Sequence, residues 1–340
     1  MEEVSIIGID LAKRSFQVHG AGADGSVAFR RKLSRGKLLG FLASQPECTV
    51  AMEACASAHY WGREIAALGH EVRLVPPIYV KPFVKRHKND VPDAEAISEA
   101  AQRPTMHFVA VKTEAQKTQG MLFRTRDLLV RQRMQTINAL RGHLAEYGVV
   151  APQGRARIRQ LVGVLEDGDS GLPEAVVELG GLLLGRIDEL DEKIYGLDHE
   201  IRASAREDED TARLMTIPGI GPVTAMAIQS FAPPMESFRR GRDFSAWLGL
   251  VPRQHTTGGK PRLGKISKMG QRDLRRLLVT GATAVVQHAS RRGAITDPWL
   301  AGMLARKPKK LVAVALANKT ARTVWALATK KEVYRVRAAA

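Results

Sequence analysis

The chain has 340 residues, room for two or three domains with sizeable cores, and its 44% hydrophobic content with 5% aromatics excludes a largely disordered protein. Lys and Arg number 52 against 35 Asp and Glu, a formal net charge of +17 that points to a polyanion, nucleic acid first, although a solvated basic face would give the same count. Cys48 and Cys55 are too few for a disulfide framework or a four-cysteine zinc site, and no apolar run has the length of a signal peptide or membrane span, so a cytoplasmic protein without a membrane partner is expected.

In chain order, Val4–Ile9, Ser15–Gly20 and Ser26–Arg31 read as three strands joined by short connections, followed by a helix over Gly36–Ala43. Thr49–Met52 is a brief apolar strand, Tyr60–Leu68 has helical spacing, and Glu71–Val75 is a strand stopped by Pro76 and Pro77. Three linked strands, then strand, helix and strand, give the order of a ribonuclease H-like α/β domain. From Thr113 to Tyr147, Leu122, Leu128, Leu129, Met134, Ile137, Leu140 and Leu144 share one face of a long amphipathic helix. A Pro/Gly stretch at Val150–Gly154 breaks it. Helix resumes over Leu182–Ile201 with near-heptad spacing, which suits either a coiled coil that pairs subunits or a helix packed on its own domain. The character changes again at Leu214, and the C-terminal part reads as mainly helical. The expected division is an α/β domain over residues 1–112, a helical linker over 113–207 and a basic domain over 208–340. From Arg239 onward, 23 Lys and Arg stand against four Asp and Glu, so the polyanion is expected to meet this last part.

Two acids stand directly at strand ends: Asp10 after Ile6-Ile7-Gly8-Ile9, and Glu53 after Val50-Ala51-Met52. If those strands are neighbours, the carboxylates lie a few ångströms apart, which is unfavourable unless a cation sits between them. Mg²⁺, or Mn²⁺, suits such hard oxygen ligands and keeps positions open for water and phosphate. Asn89-Asp90-Val91-Pro92-Asp93-Ala94 adds Asp90 and Asp93 at i and i+3, with Pro92 fitting a first helical turn. Taken singly, each acid also reads as a turn residue, an N-cap or a complement to the helix dipole.

The C-terminal part holds a second constellation. Ile217-Pro218-Gly219-Ile220-Gly221 between helical stretches looks like a helix-hairpin-helix turn, in which Gly219 and Gly221 let backbone N–H groups approach a DNA phosphate; a plain joining turn is the alternative. Farther on, a Gly-rich segment carries Arg253, Thr256, Thr257, Lys260, Arg262, Lys265, Ser267 and Lys268, followed by Arg272, Arg275 and Arg276. Hydroxyls among small residues and cations suit a nucleophile near a scissile phosphate, and equally a passive phosphate-binding loop. Arg306, Lys307, Lys309 and Lys310 open an apolar helix and read as phosphate contacts.

The set Gly8-Ile9-Asp10, Met52-Glu53-Ala54 and Asn89-Asp90-Val91-Pro92-Asp93-Ala94, with the segment from Leu248 to Gly270, resembles the DEDD transposases of the insertion sequence 110 and 1111 group over nearly the whole chain. The resemblance implies a RuvC-like N-terminal domain, a helical middle and a C-terminal transposase domain. It implies that Asp10, Glu53, Asp90 and Asp93 bind the metal. That family carries a nucleophilic serine just before the glycine of the C-terminal loop, where this chain has Thr256 and Thr257. Threonine keeps the hydroxyl and adds a methyl group. Thr257 is the first candidate nucleophile, Thr256 the second and Ser267 the third.

The implied activity is transposition of an insertion element: metal-assisted cleavage and exchange of donor and target DNA through a covalent hydroxyl–DNA intermediate. The halves of the site would meet across subunits of a dimer or tetramer, at the nucleoid. The resemblance further implies an element-encoded non-coding RNA that pairs with the DNA, so that base pairing reads sequence. Two other readings stay open: a metal-dependent nuclease of Holliday-junction type that needs no hydroxyl, and a catalytically inactive relic that still binds DNA or RNA.

Overall fold

A computed structural model describes residues 4–84, 90–152, 154, 157–292 and 297–335; the side chains of residues 90–92 and 292 lie outside that description. The chain divides into two compact units, Met1–Ala115 and Gln116–Ala340.

The first unit is built on strands β1 (Ile6–Leu11), β2 (Ser15–Ala21), β3 (Val27–Ser34), β4 (Thr49–Glu53) and β5 (Glu71–Val75). Its helices are α1 (Leu38–Ala43), α2 (Ala58–Ala67), the single turn α3 (Pro77–Val80) and α4 (Asp90–Ala101). The five strands form one mixed sheet in the order β3-β2-β1-β4-β5. Strands β1 to β3 pair antiparallel, while β4 lies parallel to β1 and β5 parallel to β4. This α/β arrangement is consistent with a ribonuclease H-like domain.

Period-two alternation divides each strand between two cores. Ile7, Ile9, Val18 and Met52 pack with Leu38 and Leu42 of α1 and Trp61 and Ile65 of α2. Ile6, Ala21, Ala51 and Val75 instead join Ala96, Ile97, Ala100 and Ala101 of α4. Strands β1 and β3 run two or three residues beyond their apolar patterns, through Asp10 and Leu11 and through Lys32 to Ser34. Ladder hydrogen bonds do not require apolar side chains, so hydropathy alone ends these strands early.

Gly8 decides how closely α4 approaches. A Cβ at Gly8 would stand 2.3 Å from the Ala94 carbonyl oxygen and 2.9 Å from the Ser98 Cβ, so the helix lies directly on the β1 backbone. Polar ties flank the contact: Arg30 pairs with Glu95 at 2.9 Å, and an Arg73 N–H donates to the Ala101 carbonyl at 3.1 Å.

The second unit is almost entirely helical. Its elements are α5 (Glu114–Ala145), α6 (Ile158–Glu166), α7 (Glu174–Glu207), α8 (Glu209–Met215), α9 (Pro222–Phe231) and α10 (Gly241–Trp247), then the short strands β6 (Pro252–Gln254) and β7 (Leu263–Ile266), and finally α11 (Arg272–Arg292), α12 (Pro298–Leu304) and α13 (Lys309–Lys330). Arg126 pairs with Asp198 at 2.5 Å and Arg133 with Asp191, so α5 and α7 lie antiparallel. Ile187, Leu190, Ile194 and Ile201 of α7 are buried within the chain itself. Its near-heptad face is thus spent on intramolecular packing, while Leu182 and Tyr195 remain exposed.

Two features of this unit were hidden in the sequence. Helix α7 starts at Glu174, eight residues before the heptad spacing begins, because Gly180 and Gly181 interrupt its apolar pattern. Gly180 is where Leu165 of α6 closes in, with its Cδ2 2.6 Å from where a Cβ would stand. The main core gathers Phe123 of α5 with Leu214, Ile217, Phe231, Phe244, Leu278, Ala317, Ala321 and Val324. The indole N–H of Trp325 donates to the Met235 and Phe238 carbonyls at 3.1 and 3.2 Å, anchoring α13.

Candidate active site and nucleic-acid face

The register of the first unit brings the strand-end acids together. Asp10 stands opposite Gln17 on β2, and the parallel pairing of Ile9 with Met52 places Glu53 opposite Asp10 one residue farther on. Residues opposite one another in a ladder project from the same face, and adjacent strands lie about 4.8 Å apart. Gly8 of the same alternation touches α4, so Asp10 and Glu53 both rise on the α4 side of the sheet.

Asp93, in the first turn of that helix, lies close enough to Glu53 for its charge to be felt there. Burial pushes the Glu53 carboxyl above its ordinary pKa, and the charge of Asp93 adds to the shift. Like charges are thus held together in a half-buried place, an arrangement that disfavours ionisation unless a cation is supplied. The backbone of Asp90 opens α4, and its side chain lies outside the described residues. Among the described residues no three His, Cys, Asp or Glu side chains converge tightly enough to hold an ion. The donor set is nevertheless all carboxylate, which fits Mg²⁺ or Mn²⁺ and does not suit a softer metal. Cys48 stands apart from this chemistry: its backbone N–H donates to His70 Nδ1 at 3.3 Å, and burial pushes its thiol up to about 11.

In the second unit the Gly-rich segment is a β-hairpin. Its strands β6 and β7 pair antiparallel, and the Lys260 N–H donates to the Thr257 carbonyl at 3.2 Å across a two-residue turn. Gly258 and Gly259 have φ of +58° and +75°, the signs a type I′ turn requires at both central positions. Every residue from Pro252 to Lys265 is exposed, so Thr256 and Thr257 stand at an open tip with Arg253, Lys260, Arg262 and Lys265 around them. The polar, glycine-rich composition conceals the strand pattern that would have announced this hairpin.

Its base is fixed. An Arg275 N–H donates to the Leu248 carbonyl at 2.9 Å, and the Asn318 amide donates to the Leu250 carbonyl at 3.1 Å. The Ser267 N–H donates to the Val251 carbonyl at 2.8 Å, and the Ser267 hydroxyl accepts from the Met269 N–H at 3.4 Å. Ser267 therefore belongs to the anchored end, away from the tip, beside exposed Lys268.

The basic residues divide by what they already touch. Arg275 is engaged with the hairpin base, and burial lowers its pKa. Arg276 pairs with Asp127 at 2.5 Å, whereas Arg272 is exposed. Arg306, Lys307, Lys309 and Lys310 are exposed around the start of α13, with Arg306 donating to the Gly302 carbonyl at 3.0 Å. The sequence pointed to these cations as a group; the inward role of Arg275 depends on the carbonyl of Leu248, 27 positions away, which no local pattern reveals.

The two glycines of the 217–221 turn also differ. Gly219 has φ of +87°, and a Cβ there would stand 3.0 Å from the Gly281 carbonyl of α11. Packing against α11 alone requires glycine at that position. Gly221 is exposed at the N-cap of α9, with nothing within 4 Å of where a Cβ would stand.

A mixed sheet whose strand ends carry paired carboxylates in one unit, and a basic hairpin in the other, fit the class of DNA-processing enzymes. The comparisons give the family. A model of DEDD transposases matches residues 7–149, and one described as the transposase IS116/IS110/IS902 family matches residues 211–296. A probable family 20 transposase of Pseudomonas aeruginosa is 47% identical over 98% of this chain and 99% of its own length. The transposase for insertion sequence element IS1328 of Yersinia enterocolitica is 43% identical over 98% and 99%, and that for IS1111A of Coxiella burnetii 38% identical over 98% and 92%. The chain belongs to the IS110 family of DEDD transposases. Among the described residues no helix is long and apolar enough to cross a membrane.

Proposed function

We propose that this transposase moves its element by metal-assisted DNA cleavage and exchange, with an acid set of Asp10, Glu53, Asp90 and Asp93 and a hydroxyl from the hairpin tip. The observation that carries the reading is the placement of Asp10, Glu53 and the first turn of α4 on one side of the sheet. Mg²⁺ or Mn²⁺, when bound by these carboxylates, supplies charge neutralisation at a phosphodiester.

The chain's own residues then have separate tasks. The Thr257 hydroxyl, or Thr256 beside it, attacks phosphorus; a Thr Oγ–P bond forms, a P–O bond to deoxyribose breaks, and the proton lost by threonine is balanced by the one the released sugar hydroxyl gains. Attack by a sugar hydroxyl of the other DNA reverses the first step and frees threonine, so exchange needs no external energy source. Lys260, Arg262 and Lys265 offset the charge that develops at phosphorus. Gly221, Arg253, Lys268, Arg272 and the cluster at 306–310 hold more distant phosphates, setting affinity and its salt dependence more than sequence choice.

Sequence choice falls to a non-coding RNA encoded by the element, a partner supplied by the family resemblance. Dimers or tetramers would bring acid sets and hydroxyls onto one pair of DNA molecules.

The test is single-turnover cleavage of donor DNA with the flanking RNA in Mg²⁺, comparing the wild type with Asp10→Ala and with a Thr256→Ala/Thr257→Ala double variant. Loss in both variants is expected. Full cleavage by the double variant would replace this reading with a metal-dependent nuclease, and cleavage by none of the three proteins would leave a nucleic-acid-binding relic.

A further inference from the structure

The row of residues that holds Asp10 and Glu53 continues across the sheet. Asp10 is opposite Gln17, and Gln17 is opposite Lys32 on the edge strand β3. Directly opposed residues share a face, so Gln17 and Lys32 project on the same side as the acids. An independent contact fixes the side: Arg30, two residues before Lys32 and on its face, pairs with Glu95 of α4.

The three successive cations of β3 have different surroundings. Arg30 is taken by Glu95, and Arg31, on the opposite face, lies over the Phe41 ring at 5.3 Å. Lys32 is exposed, Gln17 is half-buried, and neither side chain has a hydrogen bond or ion pair to any other described residue. A polar edge strand is ordinarily kept charged to prevent edge-to-edge pairing, which Lys32 also serves. That purpose does not explain a glutamine between it and the acid site, on an inward strand of the same row.

From this geometry we infer that Gln17 and Lys32 are positioning residues, which seat the DNA strand running into the acid site; Gln17 donates to a phosphate oxygen and Lys32 neutralises the next accessible phosphate. With strands about 4.8 Å apart, the Lys32 Cα stands roughly 10 Å from that of Asp10. Successive phosphates of a strand rise about 3.4 Å along the axis but also wind around it, so that distance reaches only about one or two nucleotides from the scissile phosphate. The row therefore gives the strand a direction across the sheet, from β3 toward β4.

The inference rests on the acid set being the cleavage site, and the experiment separates the two. Donor DNAs carrying one neutral methylphosphonate at each successive position are bound by full-length protein in Ca²⁺ and, separately, cleaved in Mg²⁺. In wild type, one position within about two nucleotides of the cut should weaken binding several-fold, an effect that should vanish in Lys32→Ala and persist in Lys32→Arg. Gln17→Leu should behave likewise at the neighbouring position, with KM raised more than kcat is lowered. Lys37→Ala removes an equally exposed charge off the row and should leave the pattern of the wild type. If Lys32→Glu and Gln17→Leu both keep the wild-type pattern, the inference is overturned. If instead the pattern shifts as expected but Asp10→Ala still cleaves, the row binds DNA and the assignment of the cleavage site is what fails.

Discussion

The acid set and the hairpin tip are built in opposite ways. Asp10, Glu53 and Asp93 are carried on paired strands and a helix pressed onto the β1 backbone at Gly8, so their spacing is fixed by folding. Thr256 and Thr257 project from an exposed two-residue turn whose base alone is anchored, by Arg275 and Asn318. A metal site needs carboxylates held close together against their mutual repulsion, which only a packed framework provides. A hydroxyl that must reach a phosphate, form a bond and later release it gains from an open tip, where bound DNA completes the surroundings.

If that contrast holds, changes at the acid set should act without substrate and changes at the tip only with it. The largest effect is expected from Asp10→Ala, which should lower single-turnover cleavage by about 10³-fold or more, the scale of several kcal/mol of lost charge stabilisation, while leaving circular dichroism unchanged. Thr257→Ala should come next, abolishing any DNA-linked protein on denaturing gels without altering thermal stability, and Thr257→Ser should restore the linkage. The same gels with Thr256→Ala should show the smaller loss.

Gly8→Val tests the framework. The new side chain would meet the Ala94 carbonyl, and an overpacking cost of about 1–3 kcal/mol should lower the melting temperature by several degrees and remove its response to Mg²⁺. A full Mg²⁺ response in this variant would show that α4 does not set the site. At the turn near α9, Gly219→Ala should destabilise the fold through α11, whereas Gly221→Ala should leave stability intact and weaken only DNA binding, as measured by melting and by salt-dependent affinity.

The smallest effect concerns Glu53. Its pKa is raised by burial and by Asp93, so the ionised form is disfavoured in the fold: the stability tied to protonation is present at low pH and is lost as pH rises through the raised value. Glu53→Gln should therefore raise the melting temperature of metal-free protein at neutral pH by about one or two degrees and cancel the gain from Mg²⁺. In the wild type, protons should begin to compete with Mg²⁺ binding at a higher pH than an ordinary glutamate would give. A pH profile of that binding with its acid limb at the usual carboxylate range would argue against the Glu53–Asp93 contact.

The same contrast governs how much was legible in the sequence. Asp10 and Glu53 were legible because each directly follows an apolar run, and the five strands were legible in chain order, whereas their order and pairing in the sheet were not. Asp93 was legible through Pro92, which marks a helix start. Lys32 was not, because the apolar alternation fades before β3 ends and the residue's face depends on register with Gln17. Similarly, the hairpin of β6 and β7 has no apolar alternation, and Gly219 announces a turn without announcing Gly281. Local patterns reveal elements and their ends; contacts set by register or by a distant carbonyl need the fold.

The most direct measurement is peptide mapping of the DNA-linked protein formed with flanking RNA, donor and target DNA in Mg²⁺. The expected result is a linked peptide at Thr257 or Thr256 that disappears in Asp10→Ala. A linkage at Ser267, or cleavage with no linked peptide at all, would contradict the assignment of the hairpin tip as the partner of the acid site.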